Sequence, residues 1–201
     1  NRLSFSYACY ETVNTNFKGN KGYGGGALFI DSNVTDTTIT GGSFESNIAT
    51  TGNGGAIYSG GSGTTTILGV NFLNNQASEE YGNGGAIQNQ SGTLDIKNSE
   101  FSGNTAKNGG AIHNYSSIIT FTNSNFTGNT AKVDAGAIFN DNSNLTITGG
   151  TFDGNIATEG YGGAIFDSNY NTSSISGAVV KNNKAAASHG GALYKSKGSI
   201  N

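Results

Sequence analysis

An all-β chain, wound as a right-handed parallel β-helix of about seven coils of 25–30 residues, is what this sequence predicts, on three observations. Gly-Gly-Ala followed by Ile or Leu recurs at 25–28, 54–57, 84–87, 109–112, 162–165 and 190–193, and Ala135-Gly136-Ala137-Ile138 is a seventh copy with one glycine replaced. Phe-x-x-Asn alternates with it at 17–20, 44–47, 72–75, 101–104, 126–129 and 152–155, and Val180 leads a seventh copy ending at Asn183. Between the motifs run short stretches in which apolar residues alternate with Thr, as in Leu145-Thr146-Ile147-Thr148. A period of this length carrying a two-residue alternation marks stacked strand units.

Composition agrees. The 201 residues include 33 glycines and no proline, methionine or tryptophan; 34% are hydrophobic and 11% charged. That is apolar-poor for a globular core, yet too weakly charged for a charge-extended disordered chain. Ten Lys+Arg face thirteen Asp+Glu, and Arg2 is the one arginine, so a basic nucleic-acid footprint is excluded. No apolar run approaches the ~18 residues needed to span a bilayer, and no charged-then-apolar leader opens the chain. A single cysteine, Cys9, allows neither an internal disulfide nor a CxxC metal or redox site; it reads as a small buried hydrophobe. No cofactor or metal is expected. The whole of 1–201 reads as one β-helix domain, with 1–16 (Leu3, Phe5, Tyr7, Tyr10) an irregular N-terminal partial coil or cap and 17–201 the repeat array.

Each part of a coil has its own requirement. The strand before Phe-x-x-Asn carries an apolar column at Ile39, Ile67, Ile96, Phe121, Ile147 and Ile175, always five residues ahead of the Phe position. Gly41, Gly69, Asn98, Asn123, Gly149 and Gly177 follow it, and Gly and Asn accept a left-handed backbone cheaply, so a tight corner is expected there. A second corner is expected at Ser46, Asn74, Gly103, Gly128, Gly154 and Asn182. The motif asparagines Asn20, Asn47, Asn75, Asn104, Asn129, Asn155 and Asn183, stacked about 4.8 Å apart, suit a structural amide ladder. In the Gly-Gly-Ala-Ile strand the aliphatic column should face inward, which places Ala27 and Phe29 and their equivalents outside. Phe29, Tyr58, His113, Phe139, Phe166 and Tyr194, with Gln88 among them, then form a surface aromatic stripe. The expected coil has three short strands and three bends.

The paired motifs, intact in Phe101-Ser-Gly-Asn-Thr-Ala106-Lys-Asn-Gly-Gly-Ala-Ile112, resemble the passenger domains of chlamydial polymorphic outer membrane proteins and, more broadly, β-helical adhesin-like surface proteins. The resemblance runs from Phe17 to Leu193, departing at Ala135 and Val180. It implies secretion, an extracellular or outer-membrane-attached location, and a role in adhesion to host cells or surfaces. The partners it implies are a receptor, a glycan or further copies of the chain.

Chemistry is harder to find. A polysaccharide lyase or hydrolase on this fold needs paired carboxylates or a base beside a cation, whereas Glu45, Asp95, Glu100, Asp134, Asp153 and Asp167 fall in different columns. Asp141 and Asp167 make a weak pair in repeat register, and neither His113 nor His189 has a carboxylate in an adjacent column. Thr38-x-Thr40, Thr120-x-Thr122, Thr146-x-Thr148 and Ser174-x-Ser176 form a hydroxyl array of the ice-binding kind, interrupted by Leu68, Asp95 and Lys97. N-glycosylation sequons begin at Asn33, Asn89, Asn114, Asn125, Asn144 and Asn171, no more than the composition predicts. Lys181, Lys184, Lys195 and Lys197 stand without an acid in 181–201, while 51–180 is net acidic; head-to-tail stacking into a filament is one reading of that asymmetry. The sequence thus favours a non-enzymatic surface module, with a carbohydrate-active enzyme or an ice-binding protein as alternatives.

Overall fold

A computed structural model describes residues 8–201 except 169 and 171. Arg2, Leu3, Phe5 and Tyr7 and the sequon at Asn171 lie outside the described residues. Among those described there is no helix. Four parallel sheets wrap a solenoid of about seven turns, each sheet taking one strand from every coil. One coil shows the order: Thr64–Leu68 enters the first sheet, Asn71–Leu73 the second, Gln76–Ala77 the third and Ile87–Asn89 the fourth. The first sheet also takes in Ala8–Val13, which pairs with Val34–Thr40 through a register shift between Ala8 and Cys9.

The coil therefore has four strands, not the three expected. The extra one, Gln76–Ala77 and its equivalents, is two residues long, too short to display an alternation. Three left-handed corners shape the coil. Gly41, Gly69, Asn98, Asn123, Gly149 and Gly177 have φ of +49 to +71°, and Ser46, Asn74, Gly103, Gly128, Gly154 and Asn182 have +53 to +65°. The first glycine of Gly-Gly-Ala-Ile makes the third corner at +59 to +71°, and Ala135 adopts +60° in the same place.

Register is residue on residue. Ile39, Ile67, Ile96, Phe121 and Ile147 stack in the first sheet. Phe17, Phe44, Phe72, Phe101, Phe126 and Phe152 stack in the second, with successive ring centroids 4.6–5.1 Å apart and planes within 13°. From Phe44 onward these rings are fully buried, each stabilising the fold by about 2–3 kcal/mol through apolar burial.

One assignment of faces needs correction. Ala56, Ala86, Ala111, Ala137 and Ala164 are buried in the core, and Ala27 packs against it. The hydrogen bonds explain why. Ala56 N and Ile57 N both donate to Ala86 O, at 2.9 Å each, and Ala86 N and Ile87 N repeat this on Ala111 O. Two successive N–H groups reach one carbonyl only where the chain bends, so alternation restarts at the Ile and two consecutive side chains point inward. Cys9 also departs from expectation: it is exposed, on a first-sheet strand where its neighbour Thr12 turns inward.

Candidate functional site

The motif asparagines form one continuous polar column. Asn47 Nδ2 donates to Asn75 Oδ1 at 2.9 Å and to Phe17 O at 2.9 Å, and Asn47 N donates to the same Oδ1 at 3.0 Å. The pattern repeats through Asn75, Asn104, Asn129 and Asn155 to Asn183, while Asn20 opens it by donating to Asn47. From Asn47 to Asn155 these side chains are fully buried. Each amide is spent on its neighbours, which leaves no free group for chemistry.

A second buried column, which the sequence reading missed, lies on the inner side of the fourth sheet. In successive coils it runs Ser59, Asn89, Asn114, Asn140, Asp167 and Lys195. Asn89 Nδ2 donates to Asn114 Oδ1, Asn114 Nδ2 to Asn140 Oδ1 and Asn140 Nδ2 to Asp167 Oδ1, at 2.8–3.0 Å. Asp167 is fully buried and accepts Lys195 Nζ at 2.7 Å on Oδ2. The expected pairing of Asp141 with Asp167 does not form. Asp167 points into the solenoid, whereas Asp141, one residue beyond its register partner Asn140, takes Ser168 Oγ at 2.7 Å and points out.

On the outer side of the same sheet, Phe29, Tyr58, Gln88, His113, Phe139, Phe166 and Tyr194 are in register. The column divides into two aromatic pieces. Phe29 (56% exposed) stacks on Tyr58 at 4.7 Å and 6°. Phe139 stacks on Phe166 at 4.7 Å and 1°, and Phe166 on Tyr194 at 5.2 Å and 24°. Tyr161, from the corner before Gly162, lies against Tyr194 at 4.5 Å; no repeat motif marked it. Between the two pieces Gln88 and His113 are only 2% and 8% exposed, joined by His113 Nδ1 and Gln88 Oε1 at 2.7 Å. Because Oε1 can only accept, Nδ1 carries the proton. Rings stacked along the rod cover one another's faces and turn their edges outward.

His113 is also where the sequence reading misjudged electrostatics, since Asp141 lies close enough to act on it. Burial lowers the imidazole pKa from 6.5 to about 4, outweighing the upward pull of Asp141. The native state thus holds His113 neutral while the unfolded chain protonates below pH 6.5, so stability falls as pH drops from 6.5 towards 4. A shift of that size is worth about 3 kcal/mol. Urea midpoints measured at pH 7 and pH 4 should show wild type losing about 3 kcal/mol more than His113→Gln, whose amide can still donate to Gln88. Equal losses in the two proteins would remove His113 as the cause.

The hydroxyl array is in place on the first sheet, where Thr38, Thr66, Asp95, Thr120, Thr146 and Ser174 share a column. Asp95 and Lys97 cross its middle as an ion pair at 2.7 Å, and Leu68 is 40% exposed. Both interrupt the flat hydroxyl lattice.

Comparison with known families follows the same geometry. Segments 41–60, 69–90, 98–115 and 123–141 match the Chlamydia polymorphic membrane protein repeat. Four of the coils are similar to polymorphic membrane protein repeats. Each matched segment starts at a left-handed corner (Gly41, Gly69, Asn98, Asn123) and ends at or just past the fourth-sheet strand. The polymorphic membrane protein repeat is thus the second, third and fourth strands of a coil. The first-sheet strand lies between matches, and the coil carrying Phe152 and Asn155 repeats the same register without a match. This repeat family implies a surface-exposed passenger of an outer membrane protein. No curated protein and no solved structure matched the chain.

Proposed function

We propose that this chain is a non-enzymatic, extracellular β-helix module acting in adhesion, with the outward aromatic column of the fourth sheet as its contact surface. The observation that carries this reading is the partly exposed ring-edge ridge of Phe139, Phe166 and Tyr194, extended by the exposed Tyr161. Exposed apolar patches of this kind mark partner surfaces. The ridge favours a protein receptor over a glycan, because a sugar stacks on a ring face and these faces are occupied by the next ring. The polymorphic membrane protein repeats support the surface location. Two features argue against an enzyme: Asp167, the best acidic candidate, is locked in the interior, and Asp141 faces away from it.

The test is binding of the labelled chain to cultured animal cells, before and after the cells are treated with protease or with glycosidases. Protease should abolish binding, and Phe139→Ser/Phe166→Ser should weaken it by about tenfold or more, as expected for removing central apolar anchors. Binding unchanged by the double substitution would reject the ridge. Binding lost to glycosidases alone would reassign the partner to a glycan. Depolymerisation of any member of a polysaccharide panel would overturn the non-enzymatic reading.

A further inference from the structure

The C-terminal end of the second polar column brings four reactive or polar groups together. Asp167 and Lys195 are register partners on adjacent strands, with Lys195 Nζ 2.7 Å from Asp167 Oδ2. The Asp167 side chain is 0% exposed and that of Lys195 13%. Ser173 Oγ donates to the same Oδ2 at 2.5 Å and lies 3.3 Å from Lys195 Nζ. Asn140 Nδ2 donates to the other oxygen, Oδ1, at 3.0 Å. The remaining described ion pairs, Lys18–Glu45, Lys97–Asp95 and Lys181–Asp153, have side chains 25–69% exposed.

We propose that Lys195 and Asp167 condense to an intramolecular isopeptide bond between adjacent coils. An ammonium beside a carboxylate contains the same atoms as an amide plus one water, so the step needs no oxidant, reductant or co-reactant. Lys195 Nζ gives up a proton and attacks Asp167 Cγ. The negative charge that develops on Oδ1 is held by the Asn140 N–H, as in an oxyanion hole. Ser173 bridges Nζ and Oδ2 and relays protons from the nitrogen to that oxygen. The Cγ–Oδ2 bond then breaks, Oδ2 leaves as water, and the nitrogen keeps one hydrogen as the amide N–H.

Two physical conditions favour this product here and not at the exposed pairs. In water both groups are solvated ions and the product water is in vast excess, so the ion pair persists. Inside the coil two charges carry a desolvation penalty, which a neutral amide removes. The reacting atoms are also held in contact by the strand register, the situation in which effective molarity is highest. The resulting bond would tie the fourth-sheet strand of one coil to that of the next, a useful brace for a surface rod under load.

Intact-mass spectrometry of the purified full chain tests this directly. The wild type should be lighter than its sequence by one water, and Lys195→Arg, which keeps the charge but removes the nucleophile, should show the full sequence mass. A tryptic digest should yield segment 133–181 joined to segment 185–197, with Lys195 uncleaved. Ser173→Ala should lower the linked fraction. A wild type at full sequence mass would overturn the proposal. So would a water loss with the two segments unlinked, because a cyclic imide at an aspartate gives the same mass change. Wild-type mass and the wild-type digest together distinguish these outcomes even if a variant fails to fold.

Discussion

Gly85→Ala is expected to unfold the solenoid, or to cost more than about 4 kcal/mol where folding survives, which places it among the most damaging single changes. The second glycine of Gly-Gly-Ala-Ile does not adopt positive φ, so the cost is steric. A Cβ on Gly85 would lie 2.0 Å from Gly110 O, 2.6 Å from Thr105 O and 2.7 Å from Thr105 N, all backbone atoms of the next coil. None of these can rotate away. Relief requires the coils to separate, which stretches the ladder bonds from Gly85 N to Gly109 O and from Ala86 N to Ala111 O. Gly55, Gly110, Gly136 and Gly163 meet the next coil's backbone at 2.0–2.2 Å in the same way. Gly191 is the internal control, since a Cβ there would find nothing nearer than 3.8 Å, and Gly191→Ala should be near neutral. Urea midpoints by circular dichroism decide it: Gly85→Ala within 1 kcal/mol of wild type would refute close coil approach as the reason for this column.

The neighbouring glycine obeys a different rule, and Ala135 shows it. The first glycine needs φ near +60°, which costs a non-glycine residue roughly 1–2 kcal/mol. An added Cβ in that column would crowd the carbonyl three residues on, at 2.1–2.4 Å, but this obstacle belongs to the same turn and the turn can open. Ala135 occupies that place with φ at +60° and the bond that follows, Gly136 N to Gly162 O, is kept at 3.3 Å. Ala135→Gly should therefore stabilise the chain by about 1 kcal/mol. The seven copies accordingly vary at the first glycine and keep the second.

The parts legible in the sequence were those in which one residue type repeats in one column. Phe over Phe, Asn over Asn and Gly or Asn at the corners each announce a position where every coil has the same need. What escaped the reading either lacked that constancy or sat where a bend breaks the alternation. The fourth strand of the coil is two residues long and leaves no period. The buried alanines were placed outside because strict alternation was carried through a bend that interrupts it. The second polar column changes identity at almost every coil, from Ser59 through Asn89, Asn114 and Asn140 to Asp167 and Lys195. Only its shared capacity to hydrogen-bond along the stack unites it. Likewise, an outward Gln88 and His113 could be placed on the aromatic face, but not recognised as buried, because their cover comes from neighbouring coils.

Asn104→Ala should destabilise the chain by about 3–5 kcal/mol, while Asn20→Ala costs about 1 kcal/mol or less. The side chain of Asn104 makes four hydrogen bonds. Its Nδ2 donates to Phe72 O at 3.0 Å and to Asn129 Oδ1 at 2.9 Å, and its Oδ1 accepts from Asn75 N at 2.9 Å and Asn75 Nδ2 at 3.0 Å. Truncation strands the Asn75 N–H, one Asn75 amide hydrogen and the Phe72 carbonyl in a dry interior, and an orphaned buried group costs about 1–3 kcal/mol. Asn20 is exposed and loses a single bond, from Nδ2 to Asn47 Oδ1, that water can replace. Size can be separated from hydrogen bonding with Asn104→Asp, which keeps the shape but has no hydrogen for Phe72 O or Asn129 Oδ1. Above the usual carboxylate range it should be at least as damaging as the alanine, since two acceptor oxygens would face a carboxylate in the interior. Chemical denaturation of the three variants tests the ladder: if Asn104→Ala and Asn20→Ala fall within 1 kcal/mol of each other, the asparagine column is packing material and not the polar spine that holds the coils in register.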